Sequence, residues 1–263
     1  MSHPVVDQWQ QLRQQTQRCL CVGLDPDIEK LPEGYPKTVA GLTHFLQDII
    51  DASIDYCISY KPNISFFEAY GIEGLKALEK VIQHINQRVP VIIDAKRGDI
   101  GNTAAMQARY LFDYFNADAT TLHPYMGLDS LEPFFRYKEK FHFVLGLTSN
   151  SGSKDFEELP LNAHQTLAEH VIQKVAHWNM NFGNLGVVVG ATGSKLEQVR
   201  QIDESLIFLI PGVGAQGGSY QNAFEKGQNS QELALINVSR HILYAAADKQ
   251  LVRQAVVKSI QSL

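Results

Sequence analysis

The chain has 263 residues, of which 44% are hydrophobic and 19% are charged, and its formal net charge is -5. These values are typical of a globular protein with a large core and argue against intrinsic disorder. Because no dense Lys/Arg cluster is present, we expect neither nucleic acid nor an anionic membrane as the main partner. The first residues lack a signal-peptide pattern and no apolar run reaches spanning length, so we expect a cytoplasmic protein.

Short β-rich runs alternate with amphipathic stretches along the chain, a pattern typical of repeated strand-helix units and a parallel sheet. An extra helix is predicted at 5–17, before the first strand. Eight strands are predicted, at 19–24, 57–60, 91–95, 119–122, 141–147, 185–189, 206–210 and 233–238. The clearest further helices are predicted at 38–52, 73–87, 103–115, 163–178 and 242–260.

Eight such units in this length favour an α/β fold with a single (β/α)8 TIM barrel over a doubly wound open sheet. No linker, low-complexity tract or charge run divides the chain, so we expect one barrel domain over 1–263. Proline follows Asp25, Lys61 and His123 at the ends of three strands, where it keeps the preceding residue extended and cannot donate to a strand ladder. These residues are therefore expected at the carboxyl-terminal rim, where barrel enzymes assemble their sites.

Cysteine and histidine usage gives no sign of a metal site. Cys19, Cys21 and Cys57 have no metal-type spacing, and the nine histidines are scattered. A catalytic thiol would need a histidine or a cation beside it, and the sequence does not place one. We therefore expect three reduced cysteines in the core.

A charged run follows the apolar residues of the third strand. Residues 94–103 read Asp-Ala-Lys-Arg-Gly-Asp-Ile-Gly-Asn-Thr. Side chains alternate along a strand, so Asp94 and Lys96 should share one face, and Asp99 offers Lys96 a second carboxylate. A lysine between carboxylates stays protonated and a carboxylate beside a lysine stays ionised, which provides a preset acid next to a fixed negative charge.

This charged run has two interpretations. It can be a structural ion-pair network at a strand end, because such networks also perturb pKa values. It can also serve catalysis, and the expected convergence of Asp25, Lys61, Asp94 and Lys96 at one rim favours that interpretation.

A glycine-rich segment follows the seventh predicted strand. Residues 211–218 read Pro-Gly-Val-Gly-Ala-Gln-Gly-Gly, so backbone N–H groups can converge on an anion and Gln216 adds a side-chain amide. Arg240 closes the eighth strand, and a guanidinium can grip a phosphate through two hydrogen bonds. A glycine-rich loop alone is more often a tight turn. Together with Arg240, it favours a phosphate site in the loops after strands seven and eight.

The run at 94–103, the glycine-rich segment and Arg240 together resemble the orotidine 5'-phosphate decarboxylase family. The Cys-Val-Gly-Leu-Asp-Pro-Asp run at 21–27 and Lys61-Pro-Asn63 resemble its longer bacterial branch, type 2. The resemblance covers all eight units. It implies a lyase without cofactor or metal that converts orotidine 5'-monophosphate to uridine 5'-monophosphate in de novo pyrimidine biosynthesis.

The resemblance also implies roles for individual residues. Lys96 would protonate pyrimidine C6, Asp94 would lie beside the departing carboxylate, and Lys61 would complete the charge array. Asp99, Ile100 and Thr103 would reach the neighbouring subunit's site, which implies a homodimer with composite sites. Substrate contacts are implied for the ribose at Asp25, the pyrimidine at Ser149, and the phosphate at Gln216 and Arg240.

Structural alternatives exist for several of these residues. Asp99 or Thr103 can be a helix N-cap, Asp25 can simply pair with Lys61, and Ser149 can start a turn. Residues 148–155 can form a lid over the pyrimidine or a passive surface loop. Val238 and Ser239 before Arg240, and Ser219 after the double glycine, depart from the family pattern and leave the detail of the phosphate contacts open.

Two other functions fit parts of the pattern. A related group of magnesium-dependent sugar-phosphate decarboxylases and aldolases shares the barrel and a D-x-K-x-x-D signature. A non-catalytic nucleotide-binding barrel that acts as a sensor is the second alternative. Lys61, Ser149 and the long first and fifth loops favour a nucleotide over a sugar phosphate.

Overall fold

Eight parallel strands form the centre of the molecule in a computed structural model that describes residues 3–163, 165–190, 193–213 and 219–263. Each strand lies within two residues of its predicted limits. We number these barrel strands in chain order: β1 Leu20–Leu24, β2 Ser59–Pro62, β3 Ile92–Arg97, β4 Ala119–Leu122, β5 Phe141–Leu147, β6 Leu185–Val189, β7 Ile207–Ile210 and β8 Leu235–Val238.

The strands follow one another around a barrel. Hydrogen-bonded neighbours run in chain order from β3 to β8, and β8 pairs with β1, which pairs with β2. Between β2 and β3, parallel bridges join Tyr60 to Val91 and Asn63 to Asp94, and the Ile64 N–H donates to the Asp94 carbonyl at 3.2 Å. The prediction of a (β/α)8 barrel is confirmed, and the ends of β2 and β3 lie side by side.

Helices surround the barrel. The described helices are α1 Pro4–Thr16, α2 Val39–Ser53, α3 Ser65–Glu68, α4 Gly71–Ile85, α5 Gly101–Arg109, α6 Glu132–Phe135, α7 Leu167–Phe182, α8 Gly193–Arg200, α9 Tyr220–Gly227, α10 Arg240–Leu243 and α11 Val252–Gln261. None of them is both long and apolar enough to cross a membrane. The extra N-terminal helix is α1, whose fully buried Trp9 packs on Phe141 and Phe143 of β5, at 5.2 and 5.8 Å between ring centroids.

The predicted closing helix at 242–260 was wrong as one continuous element. The chain forms α10, leaves the helix, and resumes through a short 3₁₀ turn into α11. Between α10 and α11, backbone groups form hydrogen bonds with the loop after β1 instead of continuing the helix. The Glu33 N–H donates to the Ala247 carbonyl at 2.8 Å, and the Lys249 N–H donates to the Glu33 carbonyl at 2.9 Å. We call this pairing of Glu33 with residues 247–249 the β1-loop clasp.

The helix predicted at 163–178 begins later, at Leu167. Pro160–Asn162 and Gln165–Thr166 form the two strands of a small antiparallel hairpin, and Thr166 then caps α7 through a capping box with Glu169. The three cysteines are buried and free, as predicted. Burial raises the pKa of the Cys57 thiol to about 12 and that of Cys21 further, so both are unreactive core residues.

Candidate active site

The carboxyl-terminal end of β3 carries an irregularity that shapes the site. Ile93 pairs with Thr120 and Arg97 pairs with Leu122, so three residues of β3 stand opposite one residue of β4. Within this bulge Lys96 has φ of +44°, in the left-handed region that side chains rarely adopt. Asp94 and Lys96 do come together, with 2.7 Å between Lys96 Nζ and Asp94 Oδ1. They meet because of the bulge and the left-handed backbone at Lys96, and not through the regular strand alternation on which the prediction rested.

Asp94 lies between two ammonium groups. Lys61, at the end of β2, approaches its other oxygen, with 2.9 Å from Nζ to Oδ2. The side chains of Lys61 and Asp94 are only 6% and 9% exposed, whereas that of Lys96 is 46% exposed. Lys96 is therefore the member of this Lys61–Asp94–Lys96 array that a molecule in the barrel mouth can reach.

The array is ionised at neutral pH. Burial alone would raise the pKa of Asp94, but the charges of Lys61 and Lys96 and hydrogen bonds from Lys96 and Thr121 outweigh it and hold this pKa well below its usual range. Burial alone would lower the pKa of Lys61, but the negative charges of Asp94 and Asp25 raise it above its ordinary value. The array thus carries two positive charges and one negative charge, and the two lysines compensate the buried carboxylate.

Asp99 does not act as the second carboxylate of Lys96 within this chain. Among the described residues, the ion pair of Lys96 is with Asp94, and Asp99 Oδ1 instead accepts the Ile100 N–H at 2.8 Å. Helix α5 begins at Gly101 with Ile100 as its N-cap and without a side-chain cap hydrogen bond, so the N-cap interpretation of Asp99 and Thr103 was wrong. Ile100 is 60% exposed and Thr103 is exposed, so neither is covered by other parts of the described chain.

Asp25 lies at the end of β1 with a buried carboxylate oxygen, Oδ1, that has no hydrogen-bond partner among the described residues. The described ion pairs of the chain do not join it to Lys61, although its charge helps to raise the pKa of that lysine. The backbone just beyond it is held by two tyrosine hydroxyl groups. Tyr244 accepts the Asp27 N–H at 3.0 Å, and Tyr70 accepts the Ile28 N–H at 3.2 Å. A buried acceptor on a secured loop is suited to a hydroxyl donor.

The loop after β5 is tied back on itself. The Thr148 N–H donates to Glu157 Oε2 at 2.7 Å, and the Thr148 hydroxyl lies 2.8 Å from the same oxygen. Ser149 is half-buried and packs closely on Gly190. A Cβ atom added to Gly190 would lie only 2.8 Å from the Ser149 nitrogen. Beyond them the loop forms a 3₁₀ turn and the hairpin, and it exposes Phe156 by 62%. The contacts of Thr148 therefore stabilise the loop itself. Ser149 is the neighbouring polar residue at the rim.

The predicted phosphate region is described only in part. Gln216 lies outside the described residues, together with most of the glycine-rich segment. Arg240 is exposed and begins α10 directly after β8. Beside it, the Ser239 hydroxyl is buried without a partner among the described residues, close to Gly23 of β1.

The structure thus brings Lys61, Asp94 and Lys96 into contact and leaves Asp25, Ser149 and Arg240 at the ends of other barrel strands. Sequence reasoning missed Thr121, whose hydroxyl donates to Asp94 Oδ1 at 2.7 Å. The available signal was a pair of polar residues, Thr120 and Thr121, inside a fully buried strand. Among the described residues, no group of three His, Cys, Asp or Glu side chains is placed to hold a metal ion.

The fold and the array define a (β/α)8-barrel protein with an enzyme-type site at the carboxyl-terminal rim. The model of the Orotidine 5'-phosphate decarboxylase / HUMPS family matches residues 18–255. The chain belongs to this family, which confirms the resemblance seen in the sequence.

Individual relatives agree with this assignment. The chain is 45% identical over 230 residues to an orotidine 5'-phosphate decarboxylase of Porphyromonas gingivalis, covering 86% of this chain and 83% of that protein. It is 43% identical over 240 residues to one of Flavobacterium johnsoniae, covering 90% of this chain and 87% of that protein. The structure of Leishmania donovani OMP decarboxylase superposes with a TM-score of 0.84 at 38% identity, covering 98% of each chain.

Proposed function

We propose that this chain is a carbon-carbon lyase that decarboxylates orotidine 5'-monophosphate to uridine 5'-monophosphate in de novo pyrimidine biosynthesis. The observation that carries the proposal is the Lys61–Asp94–Lys96 array at the barrel mouth, with its buried carboxylate and its one accessible ammonium group. The family and the named activity of the relatives support the same reaction.

The chemistry follows from the charges of the array. The substrate carboxylate lies beside Asp94, and the two negative charges repel each other. As the carbon-carbon bond breaks, carbon dioxide leaves and the bonding electron pair stays on C6, so the negative charge moves away from Asp94 and toward the Lys96 ammonium. The site thus stabilises the transition state more than the bound substrate, which is the condition for catalysis.

Lys96 completes the reaction as the general acid. Its Nζ gives a proton to the electron pair on C6, which forms the C–H bond of the product, and it regains a proton from solvent through its exposed side. Lys61 cannot take this role because its side chain is only 6% exposed. It instead keeps Asp94 ionised from the buried side.

The remaining predicted residues bind the substrate in this proposal. The Asp25 carboxylate accepts a hydrogen bond from a ribose hydroxyl, which supplies the donor that its buried oxygen lacks among the described residues. Ser149 bonds to the pyrimidine edge, and Gln216 and Arg240 hold the phosphate. The position of Arg240 at the start of α10, directly after β8, supports the phosphate role.

The working unit of the proposal is a cytoplasmic homodimer in which each chain forms one barrel domain. Asp99, Ile100 and Thr103 of one chain complete the site of the other. This is supported by the absence of an ion pair between Asp99 and Lys96 within the described chain and by the 60% exposure of Ile100. On the same rim, Tyr125 is 82% exposed beside a groove of about 610 Å³, which gives a second copy an apolar surface to cover.

An ultraviolet assay of orotidine 5'-monophosphate loss, run with and without a chelator, tests the reaction. We expect turnover that the chelator does not change. A magnesium-dependent sugar-phosphate enzyme would lose its activity with the chelator and regain it with added Mg²⁺. A nucleotide sensor would bind uridine 5'-monophosphate without turning over the substrate. Either of these results would overturn the proposal.

A further inference from the structure

The Thr121 side chain on β4 makes contact with both members of the Asp94–Lys96 pair. It is 1% exposed. Its hydroxyl donates to Asp94 Oδ1 at 2.7 Å, and it accepts the N–H groups of Ala95 at 3.1 Å and Lys96 at 3.0 Å. A hydroxyl has one proton and two lone pairs, so these three contacts use its full hydrogen-bonding capacity.

Thr121 lies opposite the bulge of β3, so its contacts bear on the backbone conformation there. It is the single residue of β4 that stands opposite the three bulged residues of β3. The left-handed backbone at Lys96 is unfavourable for a side chain with a Cβ atom and persists only where neighbouring groups hold it. The Thr121 hydroxyl receives the N–H of this same residue, and so it helps to hold the turn that brings the Lys96 side chain back over Asp94.

The same hydroxyl also fixes the carboxylate. Thr121 and Lys96 Nζ both approach Asp94 Oδ1, each at 2.7 Å, while Lys61 approaches Oδ2. Without the hydroxyl, the buried oxygen loses one of its donors and the bulge loses the acceptor of two N–H groups. Both changes disturb the placement of the fixed negative charge relative to the acid.

We propose that Thr121 is a positioning residue for the decarboxylation, which sets the orientation of Asp94 and the backbone turn of Lys96 without touching the substrate. This inference rests on the proposed roles of Asp94 and Lys96. It predicts a selective loss of kcat, because the proposed binding groups Asp25 and Arg240 follow other strands, β1 and β8, and are not held by this hydroxyl.

The neighbouring Thr120 supplies a matched control. It is fully buried on the same strand, and its hydroxyl donates to the Ile93 carbonyl at 2.8 Å. Thr120→Val therefore removes a buried threonine hydroxyl next to the site without removing a contact to Asp94 or to Lys96. A purely structural effect of losing a hydroxyl should appear equally in both valine variants.

The test measures kcat, KM and melting temperature for Thr121→Val, Thr121→Ser and Thr120→Val. We expect Thr121→Val to lower kcat roughly 10- to 100-fold, the usual effect of losing a hydrogen bond to a buried charged group, with little change in KM. Thr121→Ser should restore most of the loss. Thr120→Val should keep a kcat close to that of the parent protein, even if both valine variants lose similar thermal stability.

Equal losses of kcat in the two valine variants would overturn the inference. If Thr121→Val does not fold, Thr121→Ala and Thr121→Ser replace it, and equal kcat values in that pair would refute the role of the hydroxyl. Lys96→Ala separates this inference from the proposed function. If Lys96→Ala is inactive while Thr121→Val behaves like Thr120→Val, only the role of Thr121 fails. If Lys96→Ala keeps near-normal turnover, the proposed catalytic role of Lys96 fails.

Discussion

Replacing Lys61 by methionine removes one of the two charges that compensate the buried Asp94 carboxylate. The Lys61 and Asp94 side chains are 6% and 9% exposed, so water cannot take over the lost contact. Breaking a buried ion pair by removing one partner costs about 3–5 kcal/mol. Because Lys96 and Thr121 still contact Asp94 at 2.7 Å, we expect the lower end, about 3 kcal/mol of unfolding free energy at neutral pH.

Urea unfolding followed by circular dichroism measures this loss, which corresponds to a fall in melting temperature of about 6–12 °C for a chain of this size. The double variant Lys61→Met/Asp94→Asn should be more stable than Lys61→Met alone, because it no longer carries an undercompensated buried charge. Lys76→Met is the matched control, since Lys76 forms an exposed pair with Glu73 at 2.8 Å, and it should change stability very little.

The pH dependence follows from the two pKa shifts. The lowered pKa of Asp94 contributes stability that is present above the carboxyl's unfolded value and is lost as the pH falls through the folded value. The raised pKa of Lys61 contributes stability that is present below the amine's unfolded value and is lost as the pH rises through the folded value. Both contributions are present at neutral pH. A Lys61→Met protein as stable as the parent there, or a double variant less stable than the single one, would refute this reasoning.

Three further predictions concern the acid, the subunits and the core. Lys96→Ala should abolish decarboxylation while uridine 5'-monophosphate binding, measured by calorimetry, survives at least in part. A mixture of Lys96→Ala and Asp99→Ala chains should regain up to about a quarter of parent activity, since random pairing restores one composite site in each heterodimer; no recovery despite proven subunit exchange would count against shared sites. Burial lowers the pKa of His142 to about 3, so its neutral form stabilises the fold above pH 6.5 and this contribution falls as the pH drops toward 3. Between pH 7 and 4.5, His142→Leu should therefore lose about 2.5 kcal/mol less unfolding free energy than the parent protein, and equal losses would contradict the assignment.

The barrel strands were predictable because their signals are local. Apolar β-rich runs mark the strands, and the prolines after Asp25, Lys61 and His123 mark three of their ends. The break between α10 and α11 was not predictable in this way. It arises from the β1-loop clasp, which joins Glu33 to residues more than two hundred positions later, and local periodicity carries no information about such a contact.

The site was likewise predictable only in part. Lys61 and Asp94 could be expected to meet because they end neighbouring parallel strands. The contact of Asp94 with Lys96 was predicted, but the bulge and the left-handed backbone that produce it depend on how β3 pairs with β4. The predicted pairing of Lys96 with Asp99 does not occur within the described chain, where the Asp99 carboxylate accepts the N–H of the adjacent Ile100 instead, a local contact that residue spacing does not predict.

The β1-loop clasp links distant parts of the polypeptide at the proposed ribose end of the site. The backbone of residues 247–249 anchors Glu33, and Tyr244 anchors Asp27, two residues from the carboxylate of Asp25. The turn that presents this carboxylate is therefore shaped by residues that follow all eight barrel strands in the chain. During synthesis on the ribosome, the barrel strands precede residues 244–249, so the loop that carries Asp25 acquires its final shape only after those residues have emerged.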